Sequence, residues 1–251
     1  MDWAVYDLNK NSPSFDFLTF MQGALQAKAG GIWFVPGTQN GPYGGEEGQK
    51  QRVETIIYPI CELYKIPFRV ESNPPPSVFS GHTIDILKKI TKPFPLSPTQ
   101  GALDRANDKL MGKRPIVVSL RSCPYHQGRN SSPDWKAWAL DHEAYVVEDF
   151  YSDPITVDDR VALYELASLN MGVNSGFQMI NLCSYKPYLI MKMINEEYKA
   201  TRREYLERHG WKVGDQTPWA TNSQRLIWSG TDNYETIDHE YKCYMESLNG
   251  G

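Results

Sequence analysis

Two arginines in the second half of the chain have the chemistry to bind an anion. Arg121 directly follows a predicted strand over residues 115–120, and Arg129 lies in the loop that comes next. The planar guanidinium presents a fork of N–H donors that matches the oxygens of a diphosphate. We therefore predict that Arg121 and Arg129 bind a diphosphate group. The alternative is that each arginine pairs with a surface carboxylate.

A small polar turn, Asn174-Ser175-Gly176, lies between a predicted strand ending at Val173 and a predicted helix over residues 176–184. Backbone N–H groups and the helix dipole at such a point favour a phosphate. We assign this turn, together with Gln178 just inside the helix, to the same anion site. The alternative is an ordinary helix cap made by the asparagine or the serine.

Asp16 follows the first predicted strand, residues 3–8, and opens a predicted helix over residues 15–28. A carboxylate at a helix N-terminus is stabilised as the anion, so Asp16 is a candidate base for deprotonating a hydroxyl. The alternative is that Asp16 only stabilises the helix. Asp149, with Asp153 after it, follows the predicted strand 144–147 and could hold ribose hydroxyls or a metal, or could be a solvated turn residue.

A glycine-rich loop over residues 36–48 follows the second predicted strand, residues 32–35. It has neither GK[ST] nor the G-x-G-x-x-G fingerprint, so it does not match a known phosphate cradle. We interpret it as a loop or lid that contacts a second substrate. Its candidates are Tyr43 and Gly44, with Asn9 nearby.

Several function classes lack their signatures. The histidines are scattered, His82 among them, and no His/Cys/carboxylate cluster has zinc spacing, so we predict no metal. There is no G-x-S-x-G, which argues against a hydrolase. The four cysteines lack any paired spacing and are predicted to be reduced and mostly buried. With no signal peptide and no apolar run long enough to span a membrane, we expect a cytoplasmic protein.

The order of elements predicts two α/β units. Strand and helix alternate as β-α-β-α-β in the first half, and the pattern restarts after a proline-rich stretch over residues 73–114. This order predicts parallel sheets with helices on their faces. We therefore predict two Rossmann-like domains facing a cleft, residues 1–105 and residues 106–251, with a final helix crossing back. Ligands of such sheets bind at the carboxyl ends of the strands.

Three segments resemble the nucleotide-sugar-binding half of GT-B glycosyltransferases, as in a distant relative of the heptosyltransferase and fucosyltransferase groups. They are VVSLRSCPYHQGRNSSPDWKAW, VDDRVALYELASLN with the following MGVNSGFQMINLCSYKPYLIM, and QRLIWSGTDNYETIDHEY. The resemblance covers about 140 residues well and the first 70 more loosely. It implies that Arg121 and the turn at Asn174, Ser175 and Gly176 contact the donor diphosphate. Asp16 occupies the place of the base in the heptosyltransferase group. The chain departs from the family in its short first domain.

The resemblance implies a glycosyltransferase that needs neither a metal nor another cofactor and uses a nucleoside-diphosphate sugar as donor. The acceptor hydroxyl would belong to a glycan, a lipid-linked precursor or a modified nucleobase. The net charge of −4 disfavours DNA as the acceptor. Two other hypotheses remain open: a non-catalytic nucleotide- or sugar-binding module of the same fold, and a sugar-nucleotide epimerase or hydrolase.

Overall fold

The computed structural model describes residues 1–37, 45–80, 86–124, 127–148 and 155–249. A first lobe is built on a four-stranded sheet with the strand order β3-β2-β1-β4. Every pair of neighbouring strands in it is parallel. The strands are β1 (Trp3–Asp7), β2 (Gly31–Val35), β3 (Phe68–Val70) and β4 (Ser77–Phe79).

Helix α1 (Phe17–Gln26) connects β1 to β2 and buries almost its whole length. Gly23 lies inside this helix, where glycine usually costs stability relative to alanine. Here the ring of Phe79, from β4, occupies the space of a side chain: a Cβ on Gly23 would lie 2.2 Å from Phe79 Cζ. The glycine therefore lets the edge strand β4 pack directly on α1.

The second helix of the first lobe changes its winding part-way. It runs through α2 (Gly45–Arg52), a π-helical turn (Val53–Ile57) and α3 (Tyr58–Leu63). Pro59 lies at the start of α3 and has no N–H to donate to the preceding turn. The wider π turn accommodates it, and Tyr58 N donates to Val53 O, five residues back.

The second lobe is built on a five-stranded parallel sheet with the order β6-β5-β7-β8-β9. Because the chain runs outward from β5 to β6 and then returns to the other side of β5 with β7, the strand order reverses between β5 and β7. Ligands of open α/β sheets bind outside the carboxyl ends of the strands at such a point. The strands are β5 (Ile116–Ser119), β6 (Tyr145–Val147), β7 (Leu169–Val173), β8 (Tyr188–Met191) and β9 (Gln224–Leu226).

The helices of the second lobe cover both faces of its sheet. They are α4 (Gln100–Lys109), α5 (Asp134–Asp141), α6 (Val157–Leu166), α7 (Met179–Leu182), α8 (Arg203–Arg208) and α9 (Tyr234–Asn249). Helix α4 packs on α6, and α9 packs on α5. In the described part of the chain, no helix combines the length and the apolar character needed to cross a membrane.

A continuous apolar core joins the two lobes. One cluster of buried side chains includes Phe20 and Ile60 of the first lobe together with Leu163 and Ile180 of the second. Helix α1 contacts α7, and α3 contacts α6. Polar contacts reinforce the join, among them an ion pair between Lys88 Nζ and Asp215 Oδ2 at 2.5 Å. The lobes therefore share a core instead of being connected only by a linker.

The predicted fold class, two Rossmann-like α/β units with parallel sheets, is confirmed. The sequence T-V-D-D at residues 156–159 also predicts a capping box, which is confirmed, since the Thr156 side chain accepts a hydrogen bond from Asp159 N. The polar stretch 196–209 is predicted as one continuous helix, and this was wrong: a 3-10 turn (Lys199–Thr201) precedes α8, and Arg202 between them is extended. Strands β4 and β9 were not predicted. The division at residues 105 and 106 falls inside α4 and stays a prediction.

Candidate functional site

A cavity of about 360 Å³ lies between the two lobes. The first lobe contributes residues from the end of β1 and the start of α1, including Tyr6, Ser12 and Asp16. The second lobe contributes Arg129 and Asn174. The cavity thus opens at the carboxyl ends of the parallel strands of the second sheet. A further wall is mainly aromatic and apolar, made by Leu87, Met193, Tyr198, Tyr205, Trp211 and Trp228.

Two cations line the cavity among the described residues: Lys10, which pairs with Asp7, and Arg129. Arg129 Nη2 donates to Asn174 O at 3.3 Å, and its guanidinium lies 4.7 Å from the centroid of the Tyr198 ring. Both contacts fix the direction of the guanidinium, the second as a cation–π interaction. Among the described residues no carboxylate lies within ion-pair distance of it. Its charge is therefore held in place by a carbonyl and a ring, which leaves it able to attract an anion.

A second cation intensifies the positive charge at this place. Burial lowers the pKa of Arg129, and the charge of Arg121 lowers it further, while Tyr198 and Asp16 act in the opposite direction. Two guanidinium groups close enough to perturb each other raise the energy of the empty site. A bound anion would relieve that repulsion.

Arg121 follows β5 and is buried. Its Nη1 donates to Asn130 Oδ1 at 2.6 Å, and its backbone N donates to Ser131 Oγ at 2.9 Å. Arg121 does not line the cavity; Arg129, on the loop that these contacts fasten, does. The two arginines that the sequence analysis selected therefore lie close to each other, but only Arg129 lines the cavity.

The turn after β7 contributes unequally. Asn174 lines the cavity and its backbone oxygen holds Arg129, whereas Ser175 is buried and Gly176 packs against Phe15. A 3-10 turn (Gly176–Gln178) and the four-residue α7 follow, instead of one helix. So short a helix provides little of the dipole that the sequence indicated.

Gln178 faces the protein interior. Its Nε2 donates to Met171 O at 3.4 Å and its Oε1 accepts from Asn181 Nδ2 at 2.7 Å. The side chain is fully buried and does not line the cavity. It packs against Gly172, so Gln178 stabilises strand β7 and does not contact a ligand in the cavity.

Asp16 is exposed and lines the cavity from the first lobe. It is the N-cap of α1, yet its carboxylate makes no hydrogen bond to the helix. Its Oδ2 instead accepts from Ser14 Oγ at 3.3 Å. The carboxylate is therefore directed by a hydroxyl and remains accessible from the cavity.

Asn9 supports the start of the glycine-rich loop. Its Nδ2 donates to Asp7 Oδ1 at 3.0 Å and to Pro36 O at 3.1 Å. Asn9 does not line the cavity, so in the described residues it connects β1 to the end of β2. The predicted candidates Tyr43, Gly44, Asp149 and Asp153, and also His82, lie outside the described residues.

The sequence did not single out the residues that frame Arg129. Tyr198 fell inside the predicted helix 196–209, and tryptophans of the tail such as Trp211 and Trp228 are equally typical of a core or an interface. The spacing of these residues in the sequence does not indicate that they lie near Arg129. The clustering of aromatic residues in the tail was the one feature that could have suggested a binding surface. Within the described ranges, no three His, Cys, Asp or Glu side chains are grouped as metal ligands.

No family model matches the chain, and no curated protein does. Among solved structures the chain is similar to ADP-heptose LPS heptosyltransferase II of E. coli. The two share 10% sequence identity and a TM-score of 0.42, over 99% of this chain and 77% of the other. What the cavity can bind follows from its own residues.

Proposed function

We propose that the chain is a glycosyltransferase that moves a sugar from a nucleoside-diphosphate sugar to an acceptor hydroxyl. The observation that carries this proposal is the guanidinium of Arg129, which lines the interlobe cavity with a second cation, Arg121, near it. The position lies where the strand order of a parallel sheet reverses, which is where such sheets bind ligands. An anion with two phosphates suits two guanidinium groups.

The reaction follows from the two walls. The bond between the sugar's anomeric carbon and the diphosphate oxygen breaks, and the negative charge that develops on the diphosphate is stabilised by Arg129 and Arg121. The acceptor oxygen forms the new bond to the anomeric carbon, and its proton passes to the carboxylate of Asp16. Asp16 takes this role if the reaction inverts the anomeric carbon.

Binding is tested first, with a thermal-shift screen against nucleoside diphosphates and their sugars. A ligand at 100 times its dissociation constant stabilises the protein by about 2.7 kcal/mol, which shifts the melting temperature by several degrees. The shift should disappear in Arg129→Met and persist in Arg208→Met. Arg208 is a matched control because it forms an exposed ion pair with Glu204 on α8. No shift with any nucleotide would contradict the proposal.

Turnover is tested with the donor that binds. Asp16→Asn is expected to keep the thermal shift and to lose at least about a hundredfold in sugar transfer, the usual contribution of a general base. If the wild-type chain binds the donor yet transfers nothing to any acceptor, it is a binding module. Loss of the sugar to water alone would indicate a hydrolase.

A further inference from the structure

The loop that carries Arg129 is fastened on both sides by the segment that follows β8. Asn195 Nδ2 donates to Gly128 O at 2.9 Å, and Lys192 Nζ donates to Asn130 O at 2.9 Å. These two carbonyls belong to the residues immediately before and after Arg129. The backbone on each side of the cation is therefore held by a separate side chain from one short segment.

Lys192 is itself held firmly. Its side chain is 11% exposed, and its Nζ lies 3.1 Å from Oδ1 of Asp232, which is buried. The second oxygen of Asp232 accepts from Ser132 N at 2.8 Å and from Trp135 Nε1 at 3.0 Å. With all of these donors directed at it, Asp232 anchors Lys192 to the start of α5.

The backbone of Lys192 adds a third observation. Its φ is +58°, a left-handed conformation that is uncommon for residues other than glycine. Such conformations persist where surrounding contacts hold them, and they are found preferentially at functional sites. In this conformation Lys192 leaves β8 and reaches the loop of residues 127–132.

Asn130 extends the same connection to Arg121. Its Oδ1 accepts from Arg121 Nη1 and also from Cys123 N, while its Nδ2 donates to Cys123 O. A displacement of the peptide at Asn130 would therefore move both cations. Neither Lys192 nor Asn195 lines the cavity, so their contacts act on the loop and not on a ligand.

We infer that Lys192 and Asn195 are positioning residues that hold Arg129 in the geometry needed for the anion. This inference rests on the proposed function only in that it takes the cavity to be an anion site. It is tested with inorganic pyrophosphate as the probe, by isothermal titration calorimetry on the full chain at several salt concentrations. Urea unfolding of each variant reports whether the fold is intact.

Asn195→Ala is expected to raise the dissociation constant for pyrophosphate about five- to tenfold, the loss of one hydrogen bond. Lys192→Met should weaken binding at least as much. Neither variant should change the salt dependence of binding, because neither removes a charge that contacts the ligand. Arg129→Met should weaken binding and also reduce the salt dependence. Gln26→Ala should bind like the wild type, because it removes an amide-to-carbonyl bond to Lys89 O and a bond from Thr91 N, and none of these three residues lines the cavity.

The outcomes separate the two proposals. If the wild type binds pyrophosphate and folded Asn195→Ala binds equally well, the positioning role is wrong and the anion site stands. If Lys192→Met lowers the salt dependence as Arg129→Met does, Lys192 contacts the ligand and the positioning role is also wrong. If the wild type binds no pyrophosphate, both proposals fail. If Lys192→Met does not fold, the result for Asn195→Ala tests the positioning role alone. The hydrogen bond from Asn195 to Gly128 O is exposed, so its loss should leave the fold intact.

Discussion

The guanidinium of Arg129 illustrates how a charge can be kept available inside a protein. A carbonyl oxygen and an aromatic face direct it without neutralising it. A carboxylate in the same place would have compensated the charge and competed with an anionic ligand. The site therefore holds its positive charge at some cost in stability, and that cost is what an anion would recover on binding.

The four cysteines should differ in reactivity, because two of them are buried and two are not. Cys61 and Cys183 are buried, and burial raises the pKa of both thiols, that of Cys183 to about 12. The thiolate is the reactive form, so both should be inert in the native state. Cys123 and Cys243 are only half-buried. Titration with a thiol reagent near pH 8 should modify these two quickly and the other two only in denaturant. Rapid modification of all four would contradict the structure.

The sequence predicted that Arg121 and Asn174 lie together and named Arg129 beside them, but it could not predict the contacts that hold Arg129 on the cavity wall. The first two follow neighbouring parallel strands, and the carboxyl ends of such strands meet at one edge of a sheet by construction. Arg129 lies on a loop whose position depends on Lys192, Asn195 and Tyr198. Those contacts join distant parts of the chain and leave no periodic trace.

Among the elements, segments with a run of apolar residues were predictable and two edge strands were not. Helix α1 follows from its apolar spacing, and the three-residue strand β6 follows from its apolar sequence YVV. Strands β4 and β9 also have three residues each, but their sequences, SVF and QRL, contain no comparable apolar run. These residues form strands because they pair with the free edge of a neighbouring strand. That pairing depends on the assembled sheet and cannot be predicted from the local sequence.

Strand β7 lies very close to β5 at Gly172. A Cβ on Gly172 would lie 2.5 Å from Ser119 O of β5 and 2.6 Å from Gln178 Nε2. Gly172→Ala should therefore separate the two strands and lower the free energy of unfolding by about 1–3 kcal/mol. Because Asn174 follows directly, pyrophosphate binding should weaken as well. Both quantities can be measured by urea unfolding and calorimetry.

Gly101→Ala is the matched control for that substitution. Gly101 lies in α4, where a Cβ would meet only the far end of Arg105, at 3.5 Å. Alanine should be neutral or should stabilise the helix by about 0.4–1 kcal/mol. If Gly172→Ala proves as harmless as Gly101→Ala, the close approach of β5 and β7 described here is incorrect.

For the whole molecule, the shared core implies that the two lobes unfold together. The ion pair of Lys88 with Asp215 supports this coupling, because it joins the segment after β4 to the one before β9. A hydrogen bond from the Lys88 side chain, and another from Lys212 N, hold the pKa of Asp215 below its ordinary value of 3.8. Because the pKa of Asp215 is lower in the folded protein than in the unfolded chain, the ion pair stabilises the fold fully at pH values above the unfolded-state pKa. This stabilisation is lost as the pH falls through the folded-state pKa.

Asp215→Asn should therefore destabilise the protein by a constant amount between about pH 7 and about pH 5, and the difference from wild type should shrink below about pH 4. Urea unfolding over this pH range measures it, and Lys88→Met should behave in the same way. A difference that stays unchanged down to about pH 3 would exclude the ion pair as its cause. Each curve should show one transition; two separated transitions would contradict the shared core.

The contact between Gly23 and Phe79 has a consequence for solubility. β4 is the outer strand next to β1, and it lies there because the bare backbone of α1 admits the Phe79 ring. A methyl group at position 23 would force the Phe79 ring to move. If β4 moved with the ring, the N–H and C=O groups of β1 would form an open edge, which is a template for another chain. The fit of one ring on Gly23 therefore helps to keep the backbone of β1 paired and the sheet from associating with another copy of itself.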